Sequence, residues 1–195
     1  MKILALELST ARGSLAWNDA LVREWPNDRK HSGLFFENLE SSRKESGAPD
    51  KIIVGLGPGS YAGIRIAISA AIGLQVASNA TLIGYLSICA HDCAEYCVVG
   101  DARRQSFFFA HIRANDLVEG PSLFNEIELR DKIDKLEQNM SIFASEKLPQ
   151  FERVVVRYPS VLLLARLAQD SHRSFSMPPL EPVYLREPHI TTPKR

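Results

Sequence analysis

A chain of 195 residues with 45% hydrophobic and 24% charged side chains carries enough apolar material for one generous domain or two small linked lobes, and no low-complexity stretch. Its 23 basic and 23 acidic residues cancel to a formal charge of zero, which argues against a protein whose main task is to grip nucleic acid through clustered Lys and Arg. Any role on tRNA or DNA therefore needs a partner or a local patch.

The opening MKILALELST holds one Lys and an apolar run too brief for a signal peptide, so a cytoplasmic protein is expected, with Ile3 to Leu8 as its first strand. Gly13 to Trp17 and Leu21 to Trp25, separated by the turn Asn18-Asp19, extend it into a meander. From His31, the spacing of Leu34, Phe35 and Leu39 among Glu37, Asn38, Glu40, Ser42 and Arg43 predicts an amphipathic helix ending near Gly47-Ala48-Pro49.

The stretch from Lys51 to Ser78 organises the rest. An apolar strand, Ile52 to Leu56, enters the tight turn Gly57-Pro58-Gly59-Ser60, where Ser60 can cap the helix that follows. That helix carries Ile64, Ile66, Ala67, Ile68, Ala71, Ile72, Leu74 and Val76 with Arg65 as its one formal charge, so no face is plainly meant for water. At Ile64 to Ala77 it is shorter than the roughly 20 residues a bilayer demands. It has to be covered, by this chain or by another.

Leu82 to Tyr85 reads as a strand and Ser87 towards Tyr96 as a helix. Cys97 to Asp101 and Ser106 to Ile112 form a hairpin across Ala102-Arg103-Arg104-Gln105. Glu126 to Leu136 and Val161 to Ala168 read as helices, Ser141 to Ala144 and Arg153 to Val156 as short strands. The tail from Met177 holds five of the eleven prolines and is expected to be extended, with Pro182 to Arg186 laid on the body as a last edge segment. Strands, hairpin and helix thus occur twice, which predicts an α/β protein of two related lobes, residues 1–96 and 97–195.

Chemistry-bearing motifs are sparse. The Gly57–Ser60 turn could cradle phosphate at a helix start, but no Lys follows Gly63 as a P-loop requires, and no acid stands about 20 residues on for a ribose. A turn built for tight packing is the competing reading. Glu7, Ser9 and Thr10 at the first strand-to-hairpin turn, and Asp101 at the equivalent turn of the second half, sit where actin-like ATPases bind phosphate and metal; local turn chemistry and an exposed Asp101–Arg103 ion pair are the plainer readings. The five histidines are scattered, though His91 and Glu95 would share a helical face. Cys89, Cys93 and Cys97 are spaced for one helical face too, with buried reduced thiols expected rather than a metal site.

Ile3 to Thr10, the block Gly57-Pro58-Gly59-Ser60-Tyr61-Ala62-Gly63-Ile64-Arg65-Ile66, Gly100-Asp101-Ala102-Arg103, and Glu181-Pro182-Val183-Tyr184-Leu185-Arg186 together resemble, in order and spacing, the TsaB (YeaZ) family. The resemblance implies an actin-like (ASKHA), RNase H-like fold of mixed sheets, and a non-catalytic subunit in synthesis of N6-threonylcarbamoyladenosine at adenosine 37 of tRNA. Its implied partners are a TsaD-like catalytic subunit, a TsaE-like ATPase and a second copy of itself, with tRNA met through the complex and no membrane. The resemblance implies no intrinsic cofactor, with ATP and Mg2+ expected, if anywhere, at the level of the complex. The implied interface is the first two helices, through Leu34, Phe35, Leu39, Ile64, Ala67, Ile68, Ala71 and Leu74. Glu7 stands where the family usually has Asp, Tyr61-Ala62 where Phe-Thr is usual, and Lys30-His31-Ser32 where Glu-His-Thr is common. The alternative is a small actin-like kinase or ATP hydrolase working at Glu7, Ser9, Thr10 and Asp101.

Overall fold

A computed structural model describes residues 1–18, 20–27 and 32–186. Its first sheet is built from β1 (Ile3–Glu7), β2 (Arg12–Trp17), β3 (Leu21–Pro26), β4 (Lys51–Gly55) and β5 (Thr81–Tyr85), in the order β3-β2-β1-β4-β5. The second holds β6 (Glu95–Asp101), β7 (Phe107–Arg113), β8 (Asp116–Phe124), β9 (Ser141–Ala144) and β10 (Val154–Val156), in the order β10-β9-β6-β7-β8. Each half starts with its central strand, adds an antiparallel meander on one side and parallel strands on the other. This duplicated mixed sheet is the actin-like, RNase H-like arrangement.

The alternation of side chains along β1 explains the layers. Leu4 and Leu6 join Leu15, Trp17, Ile52 and Val54 beneath α1 (Ser32–Ser46) and α2 (Tyr61–Ser78). Ile3 and Ala5 face the other way, into a core shared with Tyr96, Val98, Phe108 and Ala110 of the second sheet and with α4 (Val161–Leu167). On the far face of that sheet Cys97, Val99 and Phe109 pack against Leu129 and Ile133 of α3 (Glu126–Asp134). Because both faces of β1 and β6 are covered, these strands read as continuous apolar runs.

The halves differ at one connection. Between β4 and β5 the chain builds the 18 residues of α2, whereas between β9 and β10 it crosses through residues 145–153 with no helix. The second lobe thus lacks a counterpart of α2.

Two sequence expectations are corrected. The helix expected from Ser87 towards Tyr96 is a 3-10 turn, Ser87–Cys89, then bends, then β6. Its backbone groups are met from outside: Tyr96 hydroxyl donates to Ile88 O at 3.0 Å, Asn115 Nδ2 to Cys89 O at 2.8 Å and His91 O at 3.0 Å, and Ser160 N to Ala90 O at 2.6 Å. With partners supplied laterally, no i to i+4 ladder is needed. His91 and Glu95 therefore share no helical face, and neither do the three cysteines, all of them free. Burial pushes the Cys89 thiol up to about 12 and Cys97 up to about 11, which keeps both protonated. The second correction is β8, where no strand was expected. Gly120-Pro121 interrupts its pattern, most of its side chains are exposed, and its hairpin turn puts Ala114 and Asn115 at positive φ of 50° and 64° without a glycine.

The tail closes the molecule. Ser176 and Gly84 exchange backbone hydrogen bonds at 2.9 and 3.0 Å, Leu180 is buried, and Val183 N donates to Leu56 O at 2.9 Å. The Ser176–Gly84 exchange covers part of the outer edge of β5, which would otherwise offer unpaired backbone groups.

Candidate functional site

At the end of β1 the chain turns under the Gly57–Ser60 loop, and the approach is as close as backbone allows. Ser60 N donates to Ser9 O at 2.6 Å, and Ser60 Oγ caps α2 by accepting Gly63 N at 3.3 Å. A Cβ on Gly59 would stand 2.1 Å from Ser9 O, and one on Gly63 2.1 Å from Leu8 O. Both neighbours are backbone atoms of a buried strand end and cannot swing aside. Gly63→Ala is therefore expected to destabilise the fold by about 1–3 kcal/mol, the usual cost of overpacking, read as a lowered chemical-denaturation midpoint. Gly57 takes a φ of +89°, which Pro58 then follows.

Glu7 points into the same junction and is buried. Oε1 accepts Ser9 N at 2.7 Å, while Oε2 has no hydrogen-bond partner among the described residues. Burial pushes its carboxyl above the ordinary range; neighbouring Ser87 and Ser9 pull the other way and do not prevail. Ser87 Oγ is itself engaged as acceptor for Gly57 N at 2.9 Å. A Cβ on Gly55 would meet Glu7 Oε2 at 1.9 Å, so Glu7 lies flat on a glycine, walled by protein rather than aimed at a ligand.

Ser9 and Thr10 do line a space between the lobes, with His91, Phe108, Ser145 and Arg157, but its volume is about 20 Å³. That is room for about one water. Thr10 Oγ1 is spent locally, donating to Arg12 O at 2.9 Å. Asp101 is exposed and outside this lining; its carboxylate takes Arg103 N at 2.6 Å and the Arg103 guanidinium at 3.3 Å. The structure thus brings Glu7, Ser9 and Thr10 together at one turn and leaves Asp101 apart. His91, against Tyr96 and Phe143, is held neutral at a value near 4 by burial and then by Arg157. Among the described residues no three His, Cys, Asp or Glu side chains group as a metal site; Lys30, His31 and His189 lie outside the described residues.

The two helices carry the other candidate site, with a reversal of faces. Phe35, Leu39, Ile64, Ala67, Ile68 and Ala71, expected at a partner interface, are buried against the chain's own first sheet, and Leu34 and Leu74 are half-buried beside them. They form the core because the mixed sheet needs an apolar cover. What faces outward on α2 is Tyr61, Ala62, Arg65, Ser69, Ile72, Gly73, Val76 and Ala77, with Ile72 46% and Val76 81% exposed. Phe36 on α1 is 52% exposed, its ring 4.9 Å from that of Phe35. A Cβ on Gly73 would meet nothing within 4 Å. By length and composition α2 could cross a membrane, contrary to the sequence expectation, yet its inner face is core. At the start of α2, Tyr184 from the tail packs on Tyr61 at 5.3 Å, and the Arg65 guanidinium donates to the Tyr61 hydroxyl.

A model of the TsaD family, tRNA N6-adenosine threonylcarbamoyltransferase, matches residues 29–186. The chain belongs to this family. A search of curated proteins found no match. Among solved structures, this TsaD-family chain is similar to YeaZ from Pseudomonas aeruginosa, with a TM-score of 0.71 and 18% identity over 94% of this chain and 100% of that one. It is equally similar to an uncharacterized protein with similarity to peptidase YeaZ, also from Pseudomonas aeruginosa, with a TM-score of 0.70 and 20% identity over 95% and 99% of the two chains. At that identity the likeness establishes the fold and carries no peptidase activity with it. Family and fold both agree with the TsaB (YeaZ) resemblance of the sequence.

Sequence reasoning missed Phe36, Ile72 and Val76 as the outward apolar residues. For Ile72 and Val76 the reason is that periodicity has no phase on a helix apolar all round. The one signal was the small-residue spacing Ser69, Gly73, Ala77, which marks the side where another backbone could come close.

Proposed function

We propose that this TsaD-family chain is a TsaB-type, non-catalytic subunit that pairs with a TsaD-like catalytic subunit in the cytoplasmic synthesis of N6-threonylcarbamoyladenosine in tRNA, with a TsaE-like ATPase acting on the pair. The observation that carries this reading is the outward face of α2, where Ile72, Gly73, Val76 and Ala77 leave an apolar strip open on a helix whose other side is already core. Such a strip fits the apolar centre of a protein interface. The water-sized space at Ser9 and Thr10 supports a subunit that does not itself hold ATP unless the lobes part.

Mixing the purified chain with its cognate TsaD-like protein and following sedimentation tests the pairing. A single heavier boundary is expected; two independent species at micromolar concentration would refute it. Calorimetric titration with ATP and Mg2+ addresses the rival enzyme, which the transferase description of the family favours. Little heat is expected from the chain alone, and tight stoichiometric binding would turn the assignment towards an ATP-using enzyme at Glu7, Ser9 and Thr10.

A further inference from the structure

The hairpin turn between β6 and β7 holds a conformation that its residues do not favour. Arg103, Arg104 and Gln105 have φ of 65°, 54° and 58°, three consecutive left-handed residues with no glycine among them. Side-chain-bearing residues visit that region singly and at a steric cost. The turn is pinned by Ala102 N to Ser106 O at 2.9 Å, Ser106 N to Arg103 O at 3.2 Å, and Asp101 N to Glu146 Oε1 at 2.6 Å. Beyond it, buried Phe107 and Phe108 anchor β7. Among the described residues the side chains offer no compensation: Arg104 and Gln105 make no hydrogen bond or ion pair, and Arg103 reaches only its neighbour Asp101, with 84% of its side chain exposed. Strain kept where glycine would relieve it points to a task for the side chains.

We propose that the Asp101–Ser106 turn is a phosphate-contacting element for RNA, its adjacent Arg103 and Arg104 held outward as a pair of guanidinium forks. A guanidinium matches phosphate with two parallel hydrogen bonds. Among the described residues Arg104 has no counter-ion to give up, and the exposed Arg103–Asp101 pair exchanges for a phosphate at little loss. In a chain of zero net charge this is the kind of local patch that contact with tRNA needs. The inference rests on the tRNA-modification reading above, although not on the α2 interface.

The test uses the full chain, alone and with its TsaD-like partner, and a fluorescein-labelled unmodified tRNA transcript titrated at several salt concentrations. Arg104→Gly, and Arg103→Gly with Arg104→Gly, remove charge while suiting the left-handed backbone. Binding roughly five- to tenfold weaker, with the slope of log affinity against log salt reduced by about 1 per arginine, is expected. Tm should rise at the same time by about 2–4 °C. Unchanged tRNA affinity and slope, or tRNA that fails to bind the wild-type complex at all, overturns the proposal. So does a lowered Tm, which would make the turn structural, and so does weaker association with the protein partner at unchanged tRNA affinity, which would make it a site for an acidic protein surface. Sedimentation of the same variants without RNA reads the α2 pairing separately, so loss of one is not mistaken for loss of the other.

Discussion

Val76→Asp is expected to leave the chain folded and to weaken its association with a TsaD-like partner by about 100-fold or more, because a carboxylate buried in an apolar interface without a counter-charge costs roughly 3–5 kcal/mol. Val76 is 81% exposed, so the free chain gives up little, and circular dichroism and Tm should match the wild type. Ile72→Asp should act in the same direction. Ile68→Asp makes the contrast: at 6% exposure in the core beneath α2, it should unfold the protein before any interface is measured. Sedimentation of Val76→Asp with the partner decides the matter, and undiminished association would remove α2 from the interface.

Glu7→Gln is expected to raise stability near neutral pH by about 1–3 kcal/mol, the range for relieving an unsatisfied buried polar group. Burial raises the folded-state pKa of Glu7 above its value in the unfolded chain. Its contribution is therefore fully present below pH ~4.5, the ordinary range for a Glu carboxyl, and is lost as pH rises through the raised folded value. Glutamine keeps an oxygen to accept Ser9 N and offers an amide where Oε2 has no hydrogen-bond partner among the described residues. The gain over wild type should appear in Tm measured at pH 7.5 and shrink towards zero by pH 4. A Tm lowered at pH 7.5 would mean instead that the ionised carboxylate is wanted, as it would be for a metal-nucleotide site.

How much of this was legible in the residues varies with how local the cause is. The Gly57–Ser60 turn and the cap at Ser60 were readable because the steric freedom of glycine and the reach of a serine hydroxyl act within a few residues. The close approach at Gly59 and Gly63 depends on residues far along the chain, since a Cβ at either would run into Ser9 O or Leu8 O. The 3-10 turn at Ser87–Cys89 was illegible, since its hydrogen-bond partners, Asn115 and Ser160, are distant in the chain. The strand β8 was hidden by Gly120-Pro121, a pair that sequence rules treat as a break and that here bends an edge strand while it stays paired with β7.

The stretch from Lys51 to Ser78 separates the two kinds of information. By itself the sequence determined a strand, a tight turn and an apolar helix, twice-built lobes, and a family, because propensity, turn chemistry and motif order are written locally. Only the tertiary structure decided which side of that helix is which. Once the mixed sheet claims Ile64, Ala67, Ile68 and Ala71 as its cover, Ile72 and Val76 are left facing out by the 3.6-residue turn alone. An all-apolar helix has no phase of its own and takes it from the surface on which it lies.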